Sequence, residues 1–217
     1  MIVKIIFNTF FFKRGLNILI PTIFLGLLLS CNMAQNTNDI QIGNRSFITE
    51  DSLMHLIRSN FEIVEIELKK DTLLLYSTKD FVYYPYGKYR KFKDFQLSHL
   101  TIKDSNYKID TIGSNFIIIN LENQNNIIQF TEYSETDKLE LVSAIINDND
   151  LKFNNDIKVG MNKNEFLSLF FTQVPKELEK ISVIELASGL LGIWHYYNFS
   201  ENKLRNITMK TDYLIDD

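Results

Sequence analysis

Hydrophobic and polar positions follow three different rhythms along this chain. An apolar run fills residues 16–29, two-residue alternation dominates residues 61–146, and helical spacing returns around Phe166. In the middle region Phe61, Ile63, Val64, Ile66 and Leu68 alternate with Glu62, Glu65 and Glu67, and Ile63 only adds an apolar neighbour to Val64. That pattern predicts a half-buried strand. Lys70-Asp71 forms a turn, and residues 72–77 return as the second arm. Further strands are predicted over 97–102, 107–112, 115–121, 127–133 and 138–146. The stretches between them are rich in Asn, Asp and Gly, which tolerate the left-handed backbone of hairpin turns. Their regular spacing reads as an antiparallel meander. Ahead of them, Leu53, Met54, Leu56 and Ile57 follow Thr49-Glu50-Asp51-Ser52 and predict a short amphipathic helix ending near Asn60.

After turns at 147–150 and 154–156, Asn162 is a candidate N-cap for a helix carrying Phe166, Leu167, Leu169 and Phe170. Pro175 opens a second short helix over 176–180, since proline suits a first helical turn. Strands over 182–187, 191–199 and 204–210 follow, turning at Ser188-Gly189 and 200–203. The order Ile157-x-Val159-Gly160-Met161-x-Lys163-x-Glu165-Phe166, then Pro175, Tyr196-x-Asn198-Phe199 and Lys203-Leu204-x-x-Ile207 resembles the helix–helix–three-strand unit of small envelope lipoproteins. It is similar to the outer-membrane-assembly lipoproteins of the SmpA/OmlA type and to the repeated unit of β-lactamase inhibitor protein. The resemblance covers residues 151–213. It implies a sheet whose concave face binds proteins, and it supplies no catalytic residue. Ile40-x-Ile42-Gly43 before the 51–57 helix echoes the unit with four extra residues, which raises the alternative of a degenerate repeat. The expected fold class is α+β, short helices packed on antiparallel meander sheets. Residues 40–150 form a β-rich domain with one N-terminal helix, and 151–217 form the helix–helix–three-strand unit.

Composition changes the picture mainly at the N-terminus. The chain has 217 residues with 23 basic and 27 acidic side chains, net −4, yet its first thirty residues contain no Asp or Glu. Lys4, Lys13 and Arg14 precede the apolar run, which Pro21 and Gly26 interrupt. Residues 1–30 therefore read as an export signal. The alternative, an uncleaved anchor, is disfavoured because 14 residues fall short of the ~20 needed to span the hydrocarbon core. The run ends in Leu28-Leu29-Ser30-Cys31, which resembles the lipobox of bacterial lipoproteins. The resemblance implies that the Cys31 thiol takes a diacylglycerol and, once Cys31 is the new N-terminus, that its amine takes a fatty acyl chain such as palmitate. Two or more chains hold a protein on a membrane stably, whereas one does so only marginally. The alternative is a structural cysteine that happens to follow a signal. Residues 31–39 are a polar tether. Asn32 is not the Asp of inner-membrane retention, so the expected location is the outer membrane, facing the periplasm rather than the cell surface.

Removing three basic and no acidic residues leaves 20 against 27, a mature charge of −7. Such a domain repels anionic headgroups, so lipid rather than charge is the expected membrane contact. A nucleic-acid binder needs a basic face, and none is expected here. The single cysteine excludes an internal disulfide framework and a Cys-rich zinc site.

Candidate chemistry is sparse. His55, His99 and His195 lack the spacing of a zinc site. No GxSxG occurs, and Gly189-Leu190-Leu191-Gly192 is too sparse for a phosphate loop. No catalytic residue, metal ligand or cofactor site is expected. The densest feature is the segment 81–95, where Tyr83, Tyr84, Tyr86, Tyr89 and Phe92 interleave with Lys88, Arg90, Lys91 and Lys93. Tyr and Arg give binding surfaces large area at low entropic cost, and aromatic rings also stack on sugars. The competing reading is a hydrophobic loop packed over the meander and turning at Pro85 and Gly87. Alternation places Trp194 and Tyr196 together on one face of a strand, either in the core or on the concave face. The leading expectation is a non-enzymatic envelope lipoprotein that binds a protein partner, as an assembly or inhibitor module. A glycan- or peptidoglycan-associated binder is second and a hydrolase third.

Overall fold

The computed structural model describes residues 48–100, 107–113, 116–133, 138–189 and 192–212. The signal segment, Cys31, the tether, the 40–43 echo and the 104–106 turn lie outside the described residues. Four helices occur within them: α1 (Glu50–Met54), α2 (Asp80–Tyr83), α3 (Phe92–His99) and α4 (Lys163–Phe170). Nine strands follow in chain order: β1 (Ile63–Lys69), β2 (Thr72–Ser77), β3 (Lys108–Ile112), β4 (Phe116–Glu122), β5 (Ile127–Tyr133), β6 (Lys138–Ile146), β7 (Val183–Ser188), β8 (Ile193–Ser200) and β9 (Lys203–Thr211). The chain is α+β, with short helices on a mostly antiparallel sheet.

The strands form one sheet in the order β1-β2-β7-β8-β9-β6-β5-β4-β3. All neighbours are antiparallel except β2 and β7, which run parallel from Thr72↔Val183 to Ser77↔Ser188. Strands from both sides of residue 150 therefore interleave, because β7, β8 and β9 stand between β2 and β6. Two-residue alternation sends Ile184, Leu186, His195, Tyr197, Ile207 and Met209 to one face, where all are buried. The helices cover that face.

Local signals explain most element ends. The Asn162 side chain accepts from the Asn164 N–H at the start of α4, as its N-cap reading requires. Gly160 has φ +89°, a conformation that is cheap only for glycine, and its N–H donates to the Leu204 carbonyl (2.7 Å). Residues 176–180 form a 3-10 turn behind Pro175. Glu201 and Asn202 both have positive φ, the signature of a tight hairpin turn between β8 and β9. Lys163 is buried at 5% exposure. Its Nζ donates to the carbonyls of Glu179 and Ile181, which ties α4 to the 3-10 turn. Burial lowers its pKa against the opposing pull of Glu179.

Two expectations are corrected. Residues 97–99 belong to a helix, not a strand. Phe92 and Phe95 stand three residues apart and both enter the core, the Phe95 ring 4.7 Å from Phe130, while Leu97 is left 76% exposed. Helical spacing carries on from these rings to His99, whose ring stacks on Phe95 at 4.9 Å, so the helix runs through 97–99. The first helix also stops early, at Met54. The Arg58 N–H donates to the Phe170 carbonyl (2.7 Å) and its Nε to the carbonyls of Ser168 and Phe171. Arg58 thus supplies donors for the carbonyls left open at the end of α4, and the chain between α1 and Arg58 continues only as turns, with the Leu56 N–H on the Leu53 carbonyl and the Ile57 N–H on the Met54 carbonyl.

Candidate functional site

The segment 81–95 folds as α2, a turn at Pro85–Gly87 and the start of α3. Its aromatic side chains divide by burial. Tyr86 (2% exposed) and Phe92 (9%) lie in the core, so neither belongs to a binding surface. Tyr86 meets Phe153 edge-on at 4.6 Å and Phe95 at 5.4 Å. Its hydroxyl is buried without a hydrogen-bond partner, and burial pushes its pKa well up. Tyr83, Tyr84 and Tyr89 are half-buried and Arg90 is exposed. The Tyr89 hydroxyl pairs with His99 Nε2 (2.9 Å). At Tyr84 the Lys88 ammonium lies 5.3 Å from the ring centre and pairs with Asp80 at 2.8 Å.

The three histidines do not converge. His55 is exposed at the end of α1 and His99 is half-buried on α3. His195 is fully buried. Its Nε2 donates to the Val82 carbonyl (2.9 Å), which leaves Nδ1 to accept from the Tyr197 hydroxyl (3.1 Å). Burial pushes its pKa down from 6.5 to about 4, with the Val82 hydrogen bond acting in the opposite direction. Among the described residues no group of His, Cys, Asp and Glu gathers that could hold a metal ion. Glu62, in a left-handed conformation, pairs with Lys79 (2.8 Å), and Glu67 pairs with Lys69 (2.6 Å).

The other face of the sheet carries a different set. Register places Glu65, Tyr76, Ala187, Trp194 and Lys210 side by side on five successive strands, β1, β2, β7, β8 and β9. The adjacent row is Glu67, Leu74, Glu185, Tyr196 and Thr208. Trp194 and Tyr196 are half-buried and alternate with the buried His195 and Tyr197, so they lie on the face away from the helices. Strands stand ~4.8 Å apart; Tyr76 and Trp194 are therefore separated by one strand, with small Ala187 between them. Burial raises the pKa of Glu185, and Glu67 adds to that. Tyr76 and Tyr196 are raised by burial first, with Glu67 and Glu185 respectively next. Farther along the face, Ile127 and Ile145 are paired and exposed.

Tyr76 and Glu185 are the residues that sequence reasoning missed. Tyr76 follows the unbroken run Leu73-Leu74-Leu75, in which no alternation marks a face. Its neighbourhood with Trp194 depends on the parallel pairing of β2 with β7. No known family, curated protein or solved structure matches this chain. Any function is therefore argued from its own residues.

Proposed function

We propose that this chain is a lipid-anchored envelope protein, without enzymatic activity, that binds another protein through the face of its sheet away from the described helices. The observation that carries this reading is the gathering of Tyr76 on β2 with Trp194 and Tyr196 on β8, one strand apart and facing away from the helices. Half-buried aromatic side chains held by strands give contact area with little entropy left to lose. The acid-free apolar segment ending in Ser30-Cys31 supports export and lipidation. Absence of Asp at position 32 supports the outer membrane, with the domain facing the periplasm.

Capture from intact envelopes tests both halves. The wild-type chain is crosslinked in place, purified, and its partners identified by mass spectrometry. Trp194→Ala and Tyr196→Ala are expected to lower recovery of the enriched partner at least fivefold at equal expression. Cys31→Ser is expected to move the protein out of the membrane fraction. Unchanged recovery with both aromatic variants would exclude the sheet face, and a Cys31→Ser protein still held at the membrane would exclude the lipid anchor.

A further inference from the structure

We infer a second binding site, independent of the sheet face: two adjoining clefts beside α2 that take a linear oligosaccharide. One cleft, of about 380 Å³, runs from Asn60 past Asp80 and Tyr84 to Asn154 and Asn155. The other, of about 330 Å³, lies between Tyr83, Tyr84 and Ile193 on one side and Lys138 and Glu140 on the other. Both volumes fall at the lower end of the ~300–1,000 Å³ typical of small-ligand sites. Asp80, Tyr84 and Lys88 line both clefts. The Tyr84 ring therefore stands at the ridge where they meet, and a ligand filling both must cross it.

The lining selects the ligand by its chemistry. Lys79 is neutralised by Glu62 at 2.8 Å and Lys88 by Asp80 at 2.8 Å, so the first cleft offers an anion little uncompensated positive charge. Its lining is mixed, with Phe61, Phe81 and Tyr84 beside Asn60, Asp80 and Asn155, and a hydrocarbon chain would strip those polar groups of water without replacement. A neutral molecule with many hydroxyls and an apolar C–H face fits. Its face stacks on the side of the Tyr84 ring opposite the Lys88 ammonium, and its hydroxyls donate to Asp80 and exchange hydrogen bonds with the side-chain amides. Two clefts that share Asp80, Tyr84 and Lys88 favour a chain of sugars over a single ring.

The ridge is also held in place before any ligand arrives. The Asn154 N–H donates to the Pro85 carbonyl (2.7 Å) and its Nδ2 to the Tyr84 carbonyl (3.2 Å). The Gly87 N–H donates to the Tyr84 carbonyl (2.9 Å), and Gly87 takes φ +103°. His195 anchors α2 through Val82. A rigid turn of this kind cuts the entropy lost on binding.

Calorimetric titration of the full-length protein in detergent micelles tests the site, with chitotetraose and cellotetraose as probes. Saturable binding of at least one is expected. Tyr84→Ala should weaken it at least tenfold, and Tyr84→Phe should keep it within about threefold. Asn60→Ala, at an exposed position, is carried alongside in case loss of the ring disturbs folding, and should weaken binding severalfold. Leu97→Ala, far out on α3, should bind as the wild type does. No saturable binding of either sugar by the wild type, or wild-type affinity in both Tyr84→Ala and Asn60→Ala, would overturn the proposal.

Discussion

Replacing Phe166 with alanine is expected to lower the unfolding free energy by about 3–5 kcal/mol, the largest effect of any single change considered. Phe166 is fully buried on α4. Its ring centre lies 4.6 Å from that of Tyr197, 5.2 Å from Phe170 and 5.3 Å from Phe199. Two of those partners belong to β8, so this side chain joins the helical layer to the middle of the sheet. Alanine would remove the ring and leave a void whose walls are themselves rigid aromatic rings and cannot collapse into it. A domain of this size should then lose roughly 2–4 °C of melting temperature per kcal/mol. Urea unfolding of the variant beside Leu97→Ala makes the comparison, since the exposed leucine should cost within about 0.5 kcal/mol. A Phe166→Ala loss below about 1 kcal/mol would mean that α4 does not pack on β8 as described.

Acid should weaken the fold through His195, and the sign follows from which state binds the proton. In the unfolded chain His195 titrates near 6.5, whereas burial holds it neutral in the folded protein down to about 4. Its contribution is therefore fully present above pH 6.5. It is lost as pH falls from there to about 4, because the unfolded state takes up the proton first. Each pKa unit corresponds to about 1.4 kcal/mol, so the whole loss is about 3 kcal/mol. His99 is also held below its ordinary value by partial burial and adds in the same direction. The difference between wild type and a variant isolates His195. His195→Gln keeps one donor for the Val82 carbonyl and one acceptor for the Tyr197 hydroxyl but does not titrate. Urea unfolding at several pH values should give a shallower pH dependence for His195→Gln over that window. An identical slope in both proteins would show that His195 is not neutral and buried. Protonation puts a proton on Nδ1, which removes the acceptor of the Tyr197 hydroxyl, while the Nε2–H bond to the Val82 carbonyl is kept.

The candidate surfaces show where residue patterns run out. Tyr83, Tyr84, Tyr86, Tyr89 and Phe92 looked alike as a dense aromatic-basic stretch, yet Tyr86 and Phe92 are core and Tyr84 lines two clefts. The difference was partly legible. Phe92, Phe95 and His99 follow helical spacing, and that spacing marks the residues that turn inward. Tyr86 carries no such signal, because its burial depends on Phe153 and Phe130 arriving from elsewhere in the chain. Asn60 read only as the end of the first helix, and Asn154 and Asn155 only as a turn; the fold brings all three to one cleft with Tyr84.

Local pattern by itself determined the α+β class, the bounds of β2, β5 and β6, the Asn162 cap of α4 and the paired orientation of Trp194 and Tyr196. Each of these depends on neighbours within a few residues, through alternation, helical period or a side chain bonding its own backbone. Tertiary structure alone decided the strand order, the parallel seam between β2 and β7, and which face of the sheet the helices cover. Alternation distinguishes two faces but does not say which one will be buried, since both faces here carry large side chains. Only the packing of α4 against β8 and of α2 over His195 made one of them core and left Tyr76, Trp194 and Tyr196 on the other.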